Sequence, residues 1–94
     1  MTPEGKVKEK VKKILDVYKV YYFCPATGGY GRSGIPDFVC CYKGKFIAIE
    51  CKAGKGKTTA LQDRELAMIV NAGGRAFVVN EDNLHVVEHF FDSI

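Results

Sequence analysis

The sequence predicts an α/β fold: a four-stranded mixed sheet flanked by helices, in the order α-β-β-β-α-β-α. Three observations predict it. Apolar residues recur with helical period in the first segment, while the next apolar runs are β-branched and aromatic and are broken by turn residues. A two-residue turn signal, Lys43-Gly44, joins two of those runs into a hairpin. A helical segment then separates the third strand-like run from the fourth, and that connection implies a parallel, right-handed crossover.

Each element has its own warrant. Over residues 4–18, Val7, Val11, Ile14, Leu15 and Tyr18 form one apolar stripe, and Pro3 suits a helix start. Residues 20–24 read as a strand closed by Pro25. Residues 25–35 carry Gly28, Gly29, Gly31 and Gly34 and read as a loop. Pro36 opens a second strand over 37–42, and the hairpin returns over 45–52. Residues 53–58 form a Gly/Lys loop. A helix over 59–72 stops at Gly73-Gly74, and a short strand occupies 76–79. Asp82 is placed to cap a last helix with Val87, Phe90, Phe91 and Ile94 on its apolar face.

A chain of 94 residues has room for one domain, spanning 1–94. No apolar run exceeds five residues, far short of the about 20 that cross a membrane, and the first residues carry no secretory signal. The expected location is cytoplasmic. Four cysteines, Cys24, Cys40, Cys41 and Cys51, show no C-x-x-C spacing. They read as reduced thiols acting as small strand hydrophobes. The net charge of +3 is unevenly spread. Lys6, Lys8, Lys10, Lys12 and Lys13 crowd the first helix, and Lys43, Lys45, Lys52, Lys55 and Lys57 the middle. A phosphate backbone is one partner for such a basic side, though solvated lysines on exposed faces are the better reading of charge alone.

Three motifs fail on context. Gly29-x-Gly31-x-x-Gly34 matches a dinucleotide fingerprint as a string, but a strand follows where a helix is needed. Gly56-Lys57-Thr58 lies between strand and helix, yet Cys51 stands where a phosphate-cradling loop requires its first glycine. No nucleotide cofactor is expected. His85 and His89 share a helical face but lack an evident third ligand, so they read as surface residues.

The hairpin carries the chemistry. The Lys43-Gly44 turn pairs Tyr42 with Lys45, and counting back along both strands sets Asp37 opposite Glu50. Opposed residues share a face with Cβ atoms about 5 Å apart, where two carboxylates repel. A divalent cation between them removes the conflict. Lys52, two residues beyond Glu50, adds an ammonium to the same face. The alternative is a surface Glu–Lys pair opposite a turn Asp, which the apolar alternation of both strands makes uncomfortable. Gln62 has two readings. Thr59-x-x-Gln62 is a helix capping box, and Gln62 also heads the stripe continued by Leu66 and Ile69.

Gly34-Ile35-Pro36-Asp37, then Glu50-Cys51-Lys52, then Gln62 early in a helix together resemble the PD-(D/E)xK nuclease superfamily, and within it the small virus-type VRR-Nuc domain. The resemblance runs from Glu4 to about Val79. It implies a restriction-endonuclease-like core. It also implies Mg²⁺- or Mn²⁺-dependent hydrolysis of phosphodiester bonds in DNA. By resemblance, Asp37 and Glu50 are metal ligands with the Cys51 backbone carbonyl. Lys52 positions or activates the attacking water, and Gln62 joins the active site. Glu4 matches the first-helix acid, with Glu9 as its fallback. Tyr30, Arg32, Lys55 and Lys57 are candidates for holding the DNA backbone.

Relatives in the superfamily include four-way-junction resolvases, flap nucleases and restriction enzymes, and a viral or bacterial origin is suspected. No DNA-reading module is appended, so structure-selective cutting of branched DNA is expected. Paired incisions on a four-way junction need two sites. A homodimer is therefore expected, with Tyr18, Tyr22, Phe90, Phe91 and Ile94 as interface candidates and core packing as their alternative. A monomeric flap or nicking nuclease, and a non-catalytic DNA-binding module of the same fold, are the rival readings.

Overall fold

Thr2 and Pro3 start the first helix, α1 (Pro3–Val17). The Thr2 hydroxyl accepts the Gly5 N–H at 3.0 Å, and Pro3 takes a first-turn position where no N–H is needed. This comes from a computed structural model of the chain, which describes residues 1–26 and 32–94. The remaining elements are β1 (Tyr21–Phe23), β2 (Phe38–Tyr42), β3 (Lys45–Cys51), α2 (Ala60–Asn71), β4 (Arg75–Val79) and α3 (Leu84–Asp92). This is the expected order. No described helix is long and apolar enough to cross a membrane.

The four strands form one mixed sheet in the order β1-β2-β3-β4, with β1–β2 and β2–β3 antiparallel and β3–β4 parallel. Lys43 and Gly44 both have positive φ, 50° and 80°, so the hairpin turns in the mirror-image geometry that matches strand twist. That turn fixes the register: Tyr42 pairs with Lys45 and Phe38 with Ile49. The paired ladder starts at Phe38, so Asp37 stands one residue outside it.

Strand alternation divides the sheet into two unlike faces. Phe38, Cys40, Ile47, Ile49, Cys51, Phe77 and Val79 point to the first, where they pack with Val7, Val11 and Leu15 of α1 and Val87, Phe90 and Phe91 of α3. On the second face lie Val39, Cys41, Phe46, Ala48 and Glu50, partly covered by α2. Ala48 is fully buried beneath that helix layer. Cysteine behaviour follows the same division. Cys40 and Cys51 are buried hydrophobes, as expected, whereas Cys41 and Cys24 are exposed; all four are free thiols.

Two expectations are corrected here. Asp82 does not cap α3. Asn83 occupies that position, and its side chain turns back to the end of β4, taking the Asn80 N–H at 2.7 Å and donating to the Val78 carbonyl. Phe90 and Phe91 belong to the core and cannot form an intermolecular face. Phe91 is 1 % exposed and packs its ring against Tyr18 and Tyr42 at 5.5 and 5.1 Å. Tyr18, Tyr22 and Ile94 are partly buried against the same cluster. Burying a Phe side chain is worth about 1.5–3 kcal/mol, so a small core that can cover these rings does so.

Candidate active site

The end of the β2–β3 hairpin, the start of α2 and the first turns of α1 meet at one end of the sheet, along the edge formed by the ends of its strands. Glu50 is its centre. It is 2 % exposed, facing α2 from the interior of β3. Its Oε2 accepts from Gln62 Nε2 at 3.0 Å and lies 3.3 Å from the Lys52 ammonium. Its Oε1 is buried and accepts no hydrogen bond among the described residues. Burial pushes the Glu50 carboxyl above the ordinary carboxylate range. The charge of Asp37 adds to the shift and Lys52 opposes it.

Asp37 reaches this edge differently from the simple ladder expectation. It does not pair across the strands. Its Oδ2 accepts the Cys51 N–H at 2.8 Å, a backbone donor at the far end of β3, and this bond pins the carboxylate beside Glu50. Lys52 is nearly covered, with 13 % of its side chain exposed, and its backbone N–H donates to the Val79 carbonyl at 2.8 Å. The lysine is therefore held at both its main chain and its charged end.

The two readings of Gln62 prove compatible. Thr59 N–H donates to Gln62 Oε1 at 2.9 Å, and Thr59 Oγ accepts the Gln62 N–H at 3.2 Å, which is the complete capping box. The remaining amide nitrogen is the one that donates to Glu50. Capping locks the rotamer that the carboxylate needs, so one side chain starts the helix and orients the acid.

Glu4 joins the site only through Lys8, which sequence reasoning missed. The Lys8 ammonium is 3.3 Å from Asp37 Oδ1 and 3.8 Å from Glu4 Oε2. Burial pulls the Lys8 pKa down, but Asp37 and Glu4 outweigh it and hold the ammonium above its usual value. Glu9 instead pairs with Lys12 at 3.6 Å on a half-exposed surface. One signal could have found Lys8: it lies one helical turn beyond Glu4, next to the buried Val7.

The proposed DNA contacts are dispersed. Lys55 and Lys57 are exposed in the loop between β3 and α2, which is tied down by Gly54 N–H donating to Glu81 at 2.7 Å. Arg32 is 65 % exposed, but its Nη2 donates to Glu65 Oε1 at 3.0 Å. Tyr30 lies outside the described residues, as do Gly29 and Gly31 of the rejected fingerprint. His85 and His89 are exposed on α3, and among the described residues no cluster of three His, Cys, Asp or Glu side chains converges.

The limb over residues 32–37 reaches the site across the first turns of α2. Gly34, at φ +83°, lies so close that a Cβ there would sit 2.5 Å from the Leu61 carbonyl carbon and oxygen. Gly34→Ala combines a left-handed strain with a backbone clash and is expected to destabilise the fold by about 2–4 kcal/mol. For a chain this small the melting temperature should fall by about 10–20 °C, readable by thermal denaturation. An unchanged melting temperature would mean that the limb does not dock on α2.

The donor set suits a hard divalent cation. Two carboxylates converge with an orphaned buried oxygen on Glu50. The other groups at hand among the described residues are backbone carbonyls, the Gln62 amide and ammonium nitrogens, which do not favour a soft metal.

No protein-family model matches the chain. A curated relative, "Putative nuclease p44" of Acyrthosiphon pisum secondary endosymbiont phage 1, is 40% identical over 55 residues, which is 57% of this chain and 59% of that protein. A solved structure described as a VRR_NUC domain superposes with a TM-score of 0.72 at 23% identity, covering 99% of this chain and 94% of that one. The chain has the VRR_NUC fold, with its mixed four-stranded sheet and flanking helices.

Proposed function

We propose that the chain is a VRR-Nuc nuclease that hydrolyses phosphodiester bonds in DNA with the help of Mg²⁺ or Mn²⁺. One observation carries the reading: the buried, partly unsatisfied Glu50 carboxylate beside Asp37, with Lys52 and Gln62 both aimed at it. Lys52, Lys8, Gln62 and the Cys51 N–H offset much of the charge of the two carboxylates, but they leave the buried Glu50 Oε1 without a partner among the described residues, and a cation would supply one. The relative named as a nuclease and the VRR_NUC structural match support the same reading.

Asp37 and Glu50, with the Cys51 carbonyl, would hold the ion. A divalent ion held there would supply Lewis-acid polarisation of the scissile phosphate and a more acidic water as the nucleophile. Gln62 fixes the Glu50 carboxylate in orientation. Lys52 presents an ammonium where the attacking water and the developing negative charge meet, and its near-complete burial strengthens that interaction. Lys8 neutralises Asp37 in the metal-free protein. It also places a cation at the site's open edge, where a DNA phosphate would arrive.

Branched DNA is the proposed substrate, cut by two copies acting together. The core does not leave Phe90 and Phe91 for such an interface. Among the described residues, β1, the first strand of the sheet, offers apolar surface, with Tyr21 and Phe23 exposed at 72% and 52%. The test is a gel comparing four-way junction, flap, splayed and linear duplex DNA with Mg²⁺ or EDTA, run alongside light scattering. Metal-dependent cleavage of the junction by a particle of twice 10.4 kDa supports the reading. A strict monomer cutting flaps or nicking duplex would replace the resolvase reading, and binding without cleavage would leave a DNA-binding module.

Binding and chemistry should separate by residue. Lys55 and Lys57 touch none of the site's carboxylates. Replacing both with Ala should weaken DNA binding and reduce the slope of log affinity against log salt by about one per lost phosphate contact. Single-turnover cleavage at saturating enzyme should change little. An unaltered salt slope would remove them from the DNA interface.

A further inference from the structure

Beside the carboxylate site, on the same sheet face, α2 and the sheet form a cavity of about 560 Å³ that is open to solvent along one side. Ile35, Val39, Phe46 and Met68 make it largely apolar, and Glu65 and Arg32 are its charged groups. Glu65 is 5 % exposed. Its Oε1 accepts from Arg32, while its Oε2 is buried, accepts no hydrogen bond among the described residues, and has only Arg64 at 3.9 Å. A buried carboxylate oxygen with no donor is costly. An Arg–Glu tether alone would not need this oxygen, nor a cavity beside it.

We propose that this cavity receives an unstacked guanine of the DNA substrate, read by Glu65; the inference rests on the nuclease reading above. The occupant must be flat and apolar on its faces, yet carry N–H donors along one edge. Nucleobases have that character. A carboxylate only accepts, and its two oxygens lie side by side; to meet a base edge, Oε1 shares its acceptor capacity with Arg32 and the covered Oε2 turns outward into the groove. Guanine alone presents two adjacent donors on its pairing edge, N1–H and the N2 amino group. Adenine and cytosine place an acceptor next to their amino group, which a carboxylate repels. Thymine offers a single N–H between two carbonyls.

Position supports the assignment. Glu65 lies one helical turn beyond Gln62, which holds Glu50, and Pro36 in the cavity wall precedes Asp37. Cβ atoms three residues apart on a helix are separated by about 5–6 Å, so a base in the cavity belongs to a nucleotide close to the phosphate being cut. Phe46, half-exposed at the rim, supplies an aromatic face, and Arg32 keeps further N–H groups in solvent for that nucleotide's phosphate. Flaps and splayed arms carry unpaired bases, and a base in a paired arm would first have to be flipped out, so the cavity would contribute both structure and sequence preference.

The test is a metal-free NMR titration of the folded chain with dGMP, dIMP, dAMP, dCMP and dTMP, following the Met68 methyl group. The expected result is saturable shifts with dGMP, and binding about tenfold weaker for dIMP, which lacks the N2 amino group, and for the other three. Glu65→Gln should erase the preference while its spectrum stays dispersed. Met68→Glu, at a half-exposed rim position, should block binding altogether. Equal response to all five nucleotides, or a preference that survives Glu65→Gln, overturns the proposal. Met68 shifts that follow protein concentration but not nucleotide would place a second copy there and also overturn it. Cleavage needs separate reading: dGMP selectivity in a chain that cuts no DNA upholds the cavity's role and removes the nuclease reading. Cleavage by a chain indifferent to dGMP does the reverse.

Discussion

Asp37→Asn and Glu50→Gln should each reduce DNA cleavage by at least about 10³-fold while leaving a folded protein, because each removes half of the anionic charge that would hold the ion. Geometry is largely preserved in both. In Asp37→Asn the side-chain carbonyl can still accept the Cys51 N–H, and in Glu50→Gln it can still accept from Gln62. Loss of activity would then report on charge, not on collapse of the site.

The metal-free stability of Glu50→Gln gives an independent check with a defined sign. Burial holds the Glu50 carboxyl above the ordinary value of 4.5, so on raising pH the unfolded chain ionises first. The contribution of this group to stability is complete below about that value and is lost as pH rises through the folded pKa. Glu50→Gln cannot ionise. In EDTA at neutral pH its melting temperature should equal or exceed that of the wild type, and the difference should close as the pH falls towards 4.5. Adding Mg²⁺ should raise the wild-type melting temperature and leave the variant unmoved, since only a chain that binds the ion gains stability from it. Wild-type cleavage by either variant, or an equal response of both proteins to Mg²⁺, would remove the metal assignment.

The hairpin explains why so much of this site was legible in the sequence. A two-residue turn sets the register of every pair behind it, so Lys43-Gly44 carries the ladder to Phe38–Ile49 and leaves Asp37 and Glu50 just beyond it, where the Cys51 N–H completes the placement of Asp37. The carboxylates carry a local signature of that kind because strand periodicity is short and rigid. Gln62 was legible for the same reason, since capping and the helical stripe both act within a few residues.

What remained hidden depends on contacts between elements. Only its place one turn beyond Glu4 sets Lys8 apart from the four other lysines of α1, and that weak signal gains meaning once the helix is laid against the end of β2. Phe90 and Phe91 head an apolar stripe that reads equally as core or interface, because periodicity gives a face but not what covers it. Glu65 left a trace that was overlooked. It lies three residues after Gln62 and four before Ile69, on the buried stripe of α2, so its spacing already placed a carboxylate where the helix meets the sheet.

Lys52→Ala should lower the cleavage rate by about 10²–10⁴-fold and leave DNA affinity within a few-fold of wild type. Lys52 is too covered to meet the DNA backbone as a free surface charge, and its ammonium is 3.3 Å from Glu50 Oε2. Its charge is directed inward, to the place where a water and a phosphate oxygen would meet, so its loss should be felt in the transition state more than in ground-state binding. A purely structural lysine would behave differently. Removing it would leave Glu50 without its neighbouring ammonium, lower thermal stability, and affect rate only through the unfolded fraction. Lys52→Arg separates the two cases: it keeps the positive charge for Glu50 but replaces a compact ammonium with a broad planar group that cannot occupy the same point. If Lys52 acts on the reacting groups, Lys52→Arg should retain the melting temperature and still lose most of the rate under single-turnover conditions. If it recovers both, or if Lys52→Ala cuts at near the wild-type rate, the role of Lys52 is confined to holding Glu50 in place.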